Sequence, residues 1–331
     1  MAQPLANLAV GSKVRDPNTK YGELAIVWRV AAINHEGYPS GSVTLVANDI
    51  LKLAAFDAKE PDNTVAGRKT SGNNRYSVSN IRQYLNSGAA AGQWYTAQHP
   101  YDNAPASGSV AYNPYSTQAG FLSGLSNDFA SALLDTALTT ALPSHDGGGS
   151  ETVTDRMFLL SRTEVMGTTN NGIAEGSQLP LFTTESNKFA VPTYAAMNGN
   201  TYFEYADDDY DMAYPYPNEV DPWDWMVRSP YTNSVNAFYY INRDGFADYD
   251  SAYYGVRGVR PACNVAAGMA QASDSAVGGI YTLTFTGGST PSGNQIKIKQ
   301  NGVWQSGSVK CKQGGLWTNG KVKSKRNGAW R

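Results

Sequence analysis

Two short apolar segments, 223–230 and 258–262, read as buried strands, and the 27 residues between them, 231–257, contain no Lys, Glu, Gln, Met or Trp. Those five types supply 47 of the 331 residues, so about four would fall in such a stretch by chance. A fold that accommodates this pattern carries a polar, aromatic insert on a buried frame. Tyr231, Tyr239, Tyr240, Tyr249, Tyr253 and Tyr254 are six of the chain's 21 tyrosines. Tyrosine offers a rigid amphipathic face at low entropic cost while Asn, Ser and Asp add adaptable hydrogen bonds, the mixture that antibody loops use. The omissions also fit a codon argument. Randomising the adenines of AAC or AAT yields Asn, Tyr, Ser, Asp, Phe, Ile, Arg and Ala, and never the five absent types. The same composition fits an ordinary turn-rich surface segment, because Tyr and Asn are frequent there.

The chain is long enough for one large domain or two smaller ones. Its 26 basic and 28 acidic residues leave a net charge of −2, which gives no electrostatic footprint for nucleic acid or an anionic membrane. The first eight residues lack the basic and apolar regions of a secretory signal, and no apolar run approaches membrane-spanning length. Synthesis in a bacterial cytoplasm without a signal peptide and no membrane insertion are therefore expected. Cys263 and Cys311 stand far apart without a CxxC or histidine neighbour, and both read as free thiols.

Strand character at 23–30 and 42–46 is followed by a helical pattern at 77–86, capped by Ser77 or Ser79, with Ile81, Tyr84 and Leu85 on one face. The spacing of Phe129, Leu133, Leu134 and Leu138 predicts a second helix over 123–142. A glycine break at 146–150 precedes a buried strand at 152–160 and a short helix from Ser161. Long irregular segments are expected at 170–188 and 198–220. Beyond Gly268 the Ala/Ser/Gly-rich composition, with one short strand at 280–285, reads as a linker over 269–294. In 295–331 Trp304, Trp317 and Trp330 recur every 13 residues, each closing a Lys-rich hairpin with an Asn-Gly or Gly-Gly turn. So short a module cannot bury three tryptophans, which implies a partner chain or self-association.

Catalytic and metal chemistry find little support. His35, His99 and His145 are the three histidines, and none accompanies a Gly-x-Ser-x-Gly elbow. The run at 147–149 lacks the Lys-Ser/Thr of a phosphate loop. Carboxylates gather at Asp207, Asp208, Asp209 and Asp211 and at Asp244, Asp248 and Asp250. Tyr240 stands where a calcium loop needs an acid, so these read as solvated acidic loops, and no metal or cofactor is expected. Arg228 and Arg260 lie inside apolar segments; buried guanidinium groups satisfying carbonyls are expected, with ligand-gripping as the other reading.

The segments 8–12, 27–29, 74–77, 81–86, 155–161, Trp223-x-Trp-x-x-Arg-Ser-Pro230 and Gly258-Val-Arg-Pro-Ala262 together resemble a bacterial and phage domain family of uncharacterised function. The resemblance covers about residues 1–268. It implies an α+β, C-type-lectin-like fold with two helices, small twisted antiparallel sheets and long loops, followed here by a small all-β repeat module. Many such proteins are similar to the variable proteins of diversity-generating retroelements, which implies a candidate variable segment over 228–262. Similarity to formylglycine-generating enzymes does not bring their activity, since Cys263 has no cysteine neighbour.

The resemblance and the composition together imply a non-catalytic receptor-binding protein at a phage tail tip, a virion protein acting in host recognition. Its partners would be a host cell-surface receptor, protein or glycan, other tail proteins, and further copies of itself. The expected aromatic anchors are Tyr231, Phe238, Tyr239, Phe246, Tyr249, Tyr253 and Tyr254. Asn233, Asn236, Arg243, Asp248, Asp250 and Arg257 would supply specificity. The alternatives are a carbohydrate-binding or glycan-degrading tail-spike component and a purely structural tail protein.

Overall fold

The structure, a computed structural model, describes residues 2–197 and 221–285 and, between 296 and 330, the backbone of six short strands. It comprises two compact units, Met1–Thr286 and Gly287–Arg331. The expected irregular segment at 198–220, with Asp207, Asp208, Asp209 and Asp211, lies outside the described residues.

The first unit is a mixed α/β body made mostly of sheet with a few short helices. Its strands begin with β1 (Gln3–Pro4), β2 (Lys13–Tyr21), β3 (Leu24–Ile33), β4 (Ser42–Ala47) and β5 (Lys52–Ala54). β6 (Thr136–Ala141), β7 (Ser150–Asp155) and β8 (Met157–Phe158) follow the first helices. Then come β9 (Trp225–Pro230), β10 (Ala237–Ile241), β11 (Ala247–Ser251), β12 (Arg257–Val259), β13 (Ala262–Ala266), β14 (Ala270–Ala272) and β15 (Ile280–Phe285). The larger sheet has eight strands in the order β1-β14-β15-β2-β3-β4-β13-β8, and the smaller has five in the order β11-β10-β9-β12-β5. The chain leaves the larger sheet after β4 for β5 of the smaller, rejoins the larger at β8, crosses again to the smaller for β9–β12, and returns to the larger at β13.

Local chemistry explains the elements. In β3 the alternation buries Ile26, Trp28 and Val30, and β4 is buried along its whole length, as an inner strand should be. Helix α1 spans Ala66–Ser71 and α2 spans Asn80–Leu85, the latter capped by the Ser79 side chain. Helix α3 (Asn127–Ala132) places Phe129 flat against Trp28, with ring centroids 5.5 Å apart. Helix α4 (Arg162–Met166) begins with a capping box between Ser161 and Glu164, and α5 is the single turn Tyr194–Met197.

The expected helix over 123–142 is mostly something else. Its helical part ends at Ala132, and Thr136–Ala141 pairs antiparallel with Ser150–Asp155. Thr136, Thr139 and Thr140 are β-branched and suit a pleated strand, and the hairpin closes through Gly147, Gly148 and Gly149, all at positive φ.

The expected linker also begins too early. β14 and β15 are integral to the larger sheet, where β15 runs parallel to β2 and β14 pairs with β1. Phe285 meets Phe129 edge to face at 5.8 Å, and Leu283, Ala270 and Ala272 are buried. A chain ending at Gly268 is therefore expected to lose several kcal/mol of stability against one ending at Thr286, of which Leu283 alone accounts for about 1.5–3 kcal/mol. Comparing urea midpoints of the two chains checks this; equal midpoints would restore the earlier boundary.

One core position should make stability depend on pH. Lys52, buried in β5, points Nζ at Gln118 Oε1 (2.8 Å) and over the rings of Tyr84 and Tyr115 at 4.6 and 4.3 Å. Burial lowers its pKa to about 7. Above that value the folded protein has released a proton that the unfolded chain keeps until about pH 10.4, so this group adds stability as pH rises, by about 1.4 kcal/mol per unit. Below pH 7 both states are protonated and the full cost of burying the charge is present. Lys52→Met is expected to gain most over wild type near pH 6 and to lose that advantage by pH 9, measured by urea denaturation.

The described strands of the second unit form three antiparallel pairs. β16 (Ile296–Gln300) pairs with β17 (Val303–Gly307), β18 (Lys310–Gln313) with β19 (Leu316–Asn319), and β20 (Lys325–Arg326) with β21 (Ala329–Trp330). The 13-residue repeat is a repeat of register, since Lys299, Lys312 and Lys325 stand opposite Trp304, Trp317 and Trp330. The turn residues 301–302, 314–315 and 327–328 lie outside the described residues.

Candidate ligand-binding face

The flanking strands hold the biased stretch from beneath. Trp225 and Arg228 of β9 and Arg260 after β12 are all buried. The Arg228 guanidinium grips Glu164 through Nη1 and Nη2 at 2.7 and 2.8 Å and donates to the carbonyls of Leu159 and Glu175 at 3.0 Å. Burial works against its charge, and Glu164 beside it more than outweighs this and raises its pKa. Arg260 donates to the carbonyls of Ala47 and Asn187 and lies 4.8 Å above the Trp225 ring. Burial, with Arg29 nearby, lowers its pKa to about 9. Both arginines thus serve carbonyls in the frame, as their apolar surroundings suggested, and Arg228 adds an ion pair.

Within 231–257 the structure separates frame from face. The buried Asn74 amide donates to the carbonyls of Tyr231, Ser234 and Ala237, which pins the turn leading into β10. Phe238 stacks on Phe56 at 4.6 Å and is 0 % exposed, so it is a core residue and no part of a binding face. Arg257 and Asp250 are also committed internally. Arg257 donates from Nε and Nη2 to Asp250 Oδ2 (3.0 and 2.7 Å), pairs with Asp224 through Nη1, and covers the Tyr240 ring at 3.9 Å. It is a clamp between β12, β11 and the approach to β9.

The remaining residues lie on β10, on β11 and on the turns around them, with β11 the outermost strand of the sheet among the described residues. Asn242 N–H donates to Phe246 O and Ala252 N–H to Asn236 O, so alternation places the bonded rungs at 240/248 and 238/250. The N–H groups of Tyr249 and Ser251 then point off the sheet. Each is accepted by the carboxylate just before it, Asp248 (2.8 Å) or Asp250 (2.7 Å). The edge is thereby closed to a further strand, and recognition falls to side chains.

Those side chains segregate by face. Tyr239 and Tyr249 are directly opposite in the ladder. Tyr231 stacks on Tyr249 with centroids 4.3 Å apart and 14° between planes, and meets Tyr239 edge-on at 5.7 Å. Arg162, the first residue of α4, lies over Tyr239 at 4.7 Å. On the reverse of the ribbon Asp248 accepts from the Tyr240 hydroxyl (3.3 Å), beside the Arg257 clamp. At the tip, Asn242 Oδ1 accepts from the N–H groups of Asp244 and Phe246, leaving Arg243 exposed and Phe246 64 % exposed. Asn242 is thus occupied as a turn residue, and among the described residues no group of three or more His, Cys, Asp or Glu side chains is placed to hold a metal ion.

A second aromatic pair lies where the stretch returns. Tyr253 and Tyr254 have centroids 4.6 Å apart, and Lys59 Nζ sits 4.7 Å from the Tyr253 ring. The hydrogen bond with Tyr254 and then burial raise the Tyr253 pKa to about 12. Residues 111–113 fasten this corner: Ala111 bonds to Tyr253 and Gly255, and Asn113 Nδ2 donates to Gly255 O (2.6 Å). Tyr112 and Asn113 both hold positive φ, an uncommon geometry for residues other than glycine. Asn233 and Asn171 face one another at the other end, with Asn171 donating to Thr232 Oγ1 (2.6 Å) and Asn233 Oδ1 (3.3 Å), while Asn236 is half-buried. Arg162, Asn171, Lys59 and Tyr112 lie outside the biased stretch, and only the fold brings them to it.

The model of a family described as a domain of unknown function, DUF6273, matches residues 41–267. The chain belongs to this family. The DUF6273 match opens at β4 and closes just after β13, so it takes in the whole smaller sheet, every passage between the two sheets and the entire biased stretch. β1–β3, β14 and β15, which complete the larger sheet around the DUF6273 region, fall outside the match. No curated protein and no solved structure matches the chain. No helix among the described residues is long and apolar enough to cross a membrane.

Proposed function

We propose that this protein is a non-catalytic receptor-binding protein of a phage tail, in which a C-type-lectin-like frame displays a diversifiable face for host recognition. The observation that carries the reading is the separation within 231–257: Phe238 and Tyr240 join the core while Tyr231, Tyr239 and Tyr249 gather in one outward patch on the edge hairpin. Substitution at outward positions can then change what is bound without changing what is folded. The fixed flanks at 225–230 and 257–262, buried throughout apart from the half-buried Arg257, suit a segment rewritten between constant borders. The close approach of the first and last strands of the unit in the larger sheet supports the lectin-like reading, and the hairpin repeat at 296–330 is the proposed site of attachment or self-association.

Two measurements test this. In the DNA beside the gene, the reading expects a reverse-transcriptase gene and a near-copy of the segment encoding 228–262 that differs at adenines. In binding of labelled full-length protein to a panel of bacterial strains, the double substitution Tyr231→Ala with Tyr249→Ala is expected to weaken binding by about 100-fold or more, the scale of two anchor residues. Unchanged cell binding by the double variant would overturn the assignment of the face.

A further inference from the structure

The two sides of the edge hairpin differ in charge in a way that specifies a ligand. On the reverse side Asp248 and Asp250 are present, with Arg257 matched to Asp250 and Asp224. On the tyrosine side the cation is Arg162, held over Tyr239, and no carboxylate of the described residues forms an ion pair with it. The nearby acids Glu164 and Glu175 are buried and turned to Arg228, Ser229 and the backbone. Arg162 spends Nη1 on the Thr169 carbonyl (2.9 Å), its buried Nε meets no acceptor, and Nη2 makes no hydrogen bond within the described residues. A guanidinium cannot lose its proton at physiological pH, and its fork matches a carboxylate. Beside it Tyr249 is 52 % exposed, and the Asn233 amide group donates to nothing among the described residues.

We propose that this patch takes a sugar ring bearing a carboxylate, a uronate or sialate unit of a surface glycan, stacked on the tyrosines with its carboxylate toward Arg162. Aromatic rings accept the apolar face of a pyranose, the Asn233 amide nitrogen supplies donors for ring hydroxyls while Asn171 holds its carbonyl oxygen, and Arg162 supplies the charge selection. Stacking would remain under substitution of one tyrosine by another aromatic, whereas the cation comes from α4, outside the biased stretch. The proposal rests on the receptor-binding reading of the same face, and assigns the ligand class.

Ligand-observed NMR titration of the full chain with methyl β-glucuronide, N-acetylneuraminic acid, methyl β-glucoside and glucose 6-phosphate tests it. The two carboxylate sugars are expected to bind about tenfold tighter than the glucoside, one charge-assisted contact's worth. Arg162→Gln is expected to abolish that preference while keeping the melting temperature, because its backbone N–H to Ser229 Oγ is retained. Tyr249→Ala is expected to weaken all the sugars alike. Equal binding of glucuronide and glucoside, or a preference that survives Arg162→Gln, would overturn the proposal. Glucose 6-phosphate binding as well as the glucuronide would show a general anion site and overturn the carboxylate assignment. If no sugar binds while labelled protein still binds cells through Tyr249, the glycan assignment falls and the receptor-binding reading stands, with a protein as receptor.

Discussion

Arg228→Ala is expected to destabilise the protein by about 3–5 kcal/mol, a large share of the roughly 5–15 kcal/mol that holds an ordinary domain folded. Arg228 is 1 % exposed, and it is the one cation bonded to both Glu164 and the backbone around Glu175 among the described residues. Removing it strands Glu164 in the core, takes the Arg228 donor from the Leu159 carbonyl and leaves the Glu175 carbonyl with the Ser161 hydroxyl alone. The damage should also depend on pH. Burial already raises the Glu175 pKa, with Arg228 acting against that rise, so loss of the guanidinium raises it further. A carboxylate held higher in the folded state than in the unfolded one costs stability as pH climbs, so the deficit should be larger at pH 8 than at pH 5. Urea denaturation at the two pH values measures both effects, and a deficit below about 1 kcal/mol would show that the ion pair contributes little.

Phe238→Ala is expected to cost about 3–5 kcal/mol although it lies in the middle of the polar stretch. Its ring lies flat on Phe56, which in turn meets Tyr76, so truncation opens a cavity between the smaller sheet and the segment after β5. The backbone on either side is fixed by Asn74 and by the ladder to β11, which limits collapse into the space. A loss under about 1 kcal/mol in thermal or urea melts would mean that β10 is displayed rather than packed.

What the sequence could and could not disclose follows from the range of the interactions. Elements built on near neighbours were legible: the strand character of β3, a serine cap of α2 at Ser77 or Ser79, of which Ser79 is the one used, and the Ser161 start of α4 are all local. The helix expected over 123–142 failed because Leu134 and Leu138 keep helical spacing while the threonines between and after them find partners in β7. β14, the strand of Ala, Gln and Ala, has no side-chain signature and exists through pairing with β1 and β15. In the biased stretch composition marked the binding vocabulary but not its orientation. A period-two reading of 237–241 would have set Phe238 and Tyr240 against Tyr239, since successive strand residues face opposite ways. Arg162 and Glu164 reach the site from more than 60 residues away, and nothing local in their segment announces Tyr239 or Arg228 as partners.

One short segment is frame at some positions and face at others. Saturation substitution across 225–262, with resistance to proteolysis read for every variant of the full chain, tests it most directly. An intolerant set is expected at Trp225, Arg228, Phe238, Ile241 and Arg260, and a tolerant set at Asn233, Arg243, Phe246, Asp248 and Tyr249, where most changes shift stability by no more than about 0.5 kcal/mol. A profile in which Tyr249 and Phe246 are as intolerant as Phe238 would contradict it, because the whole stretch would then be core.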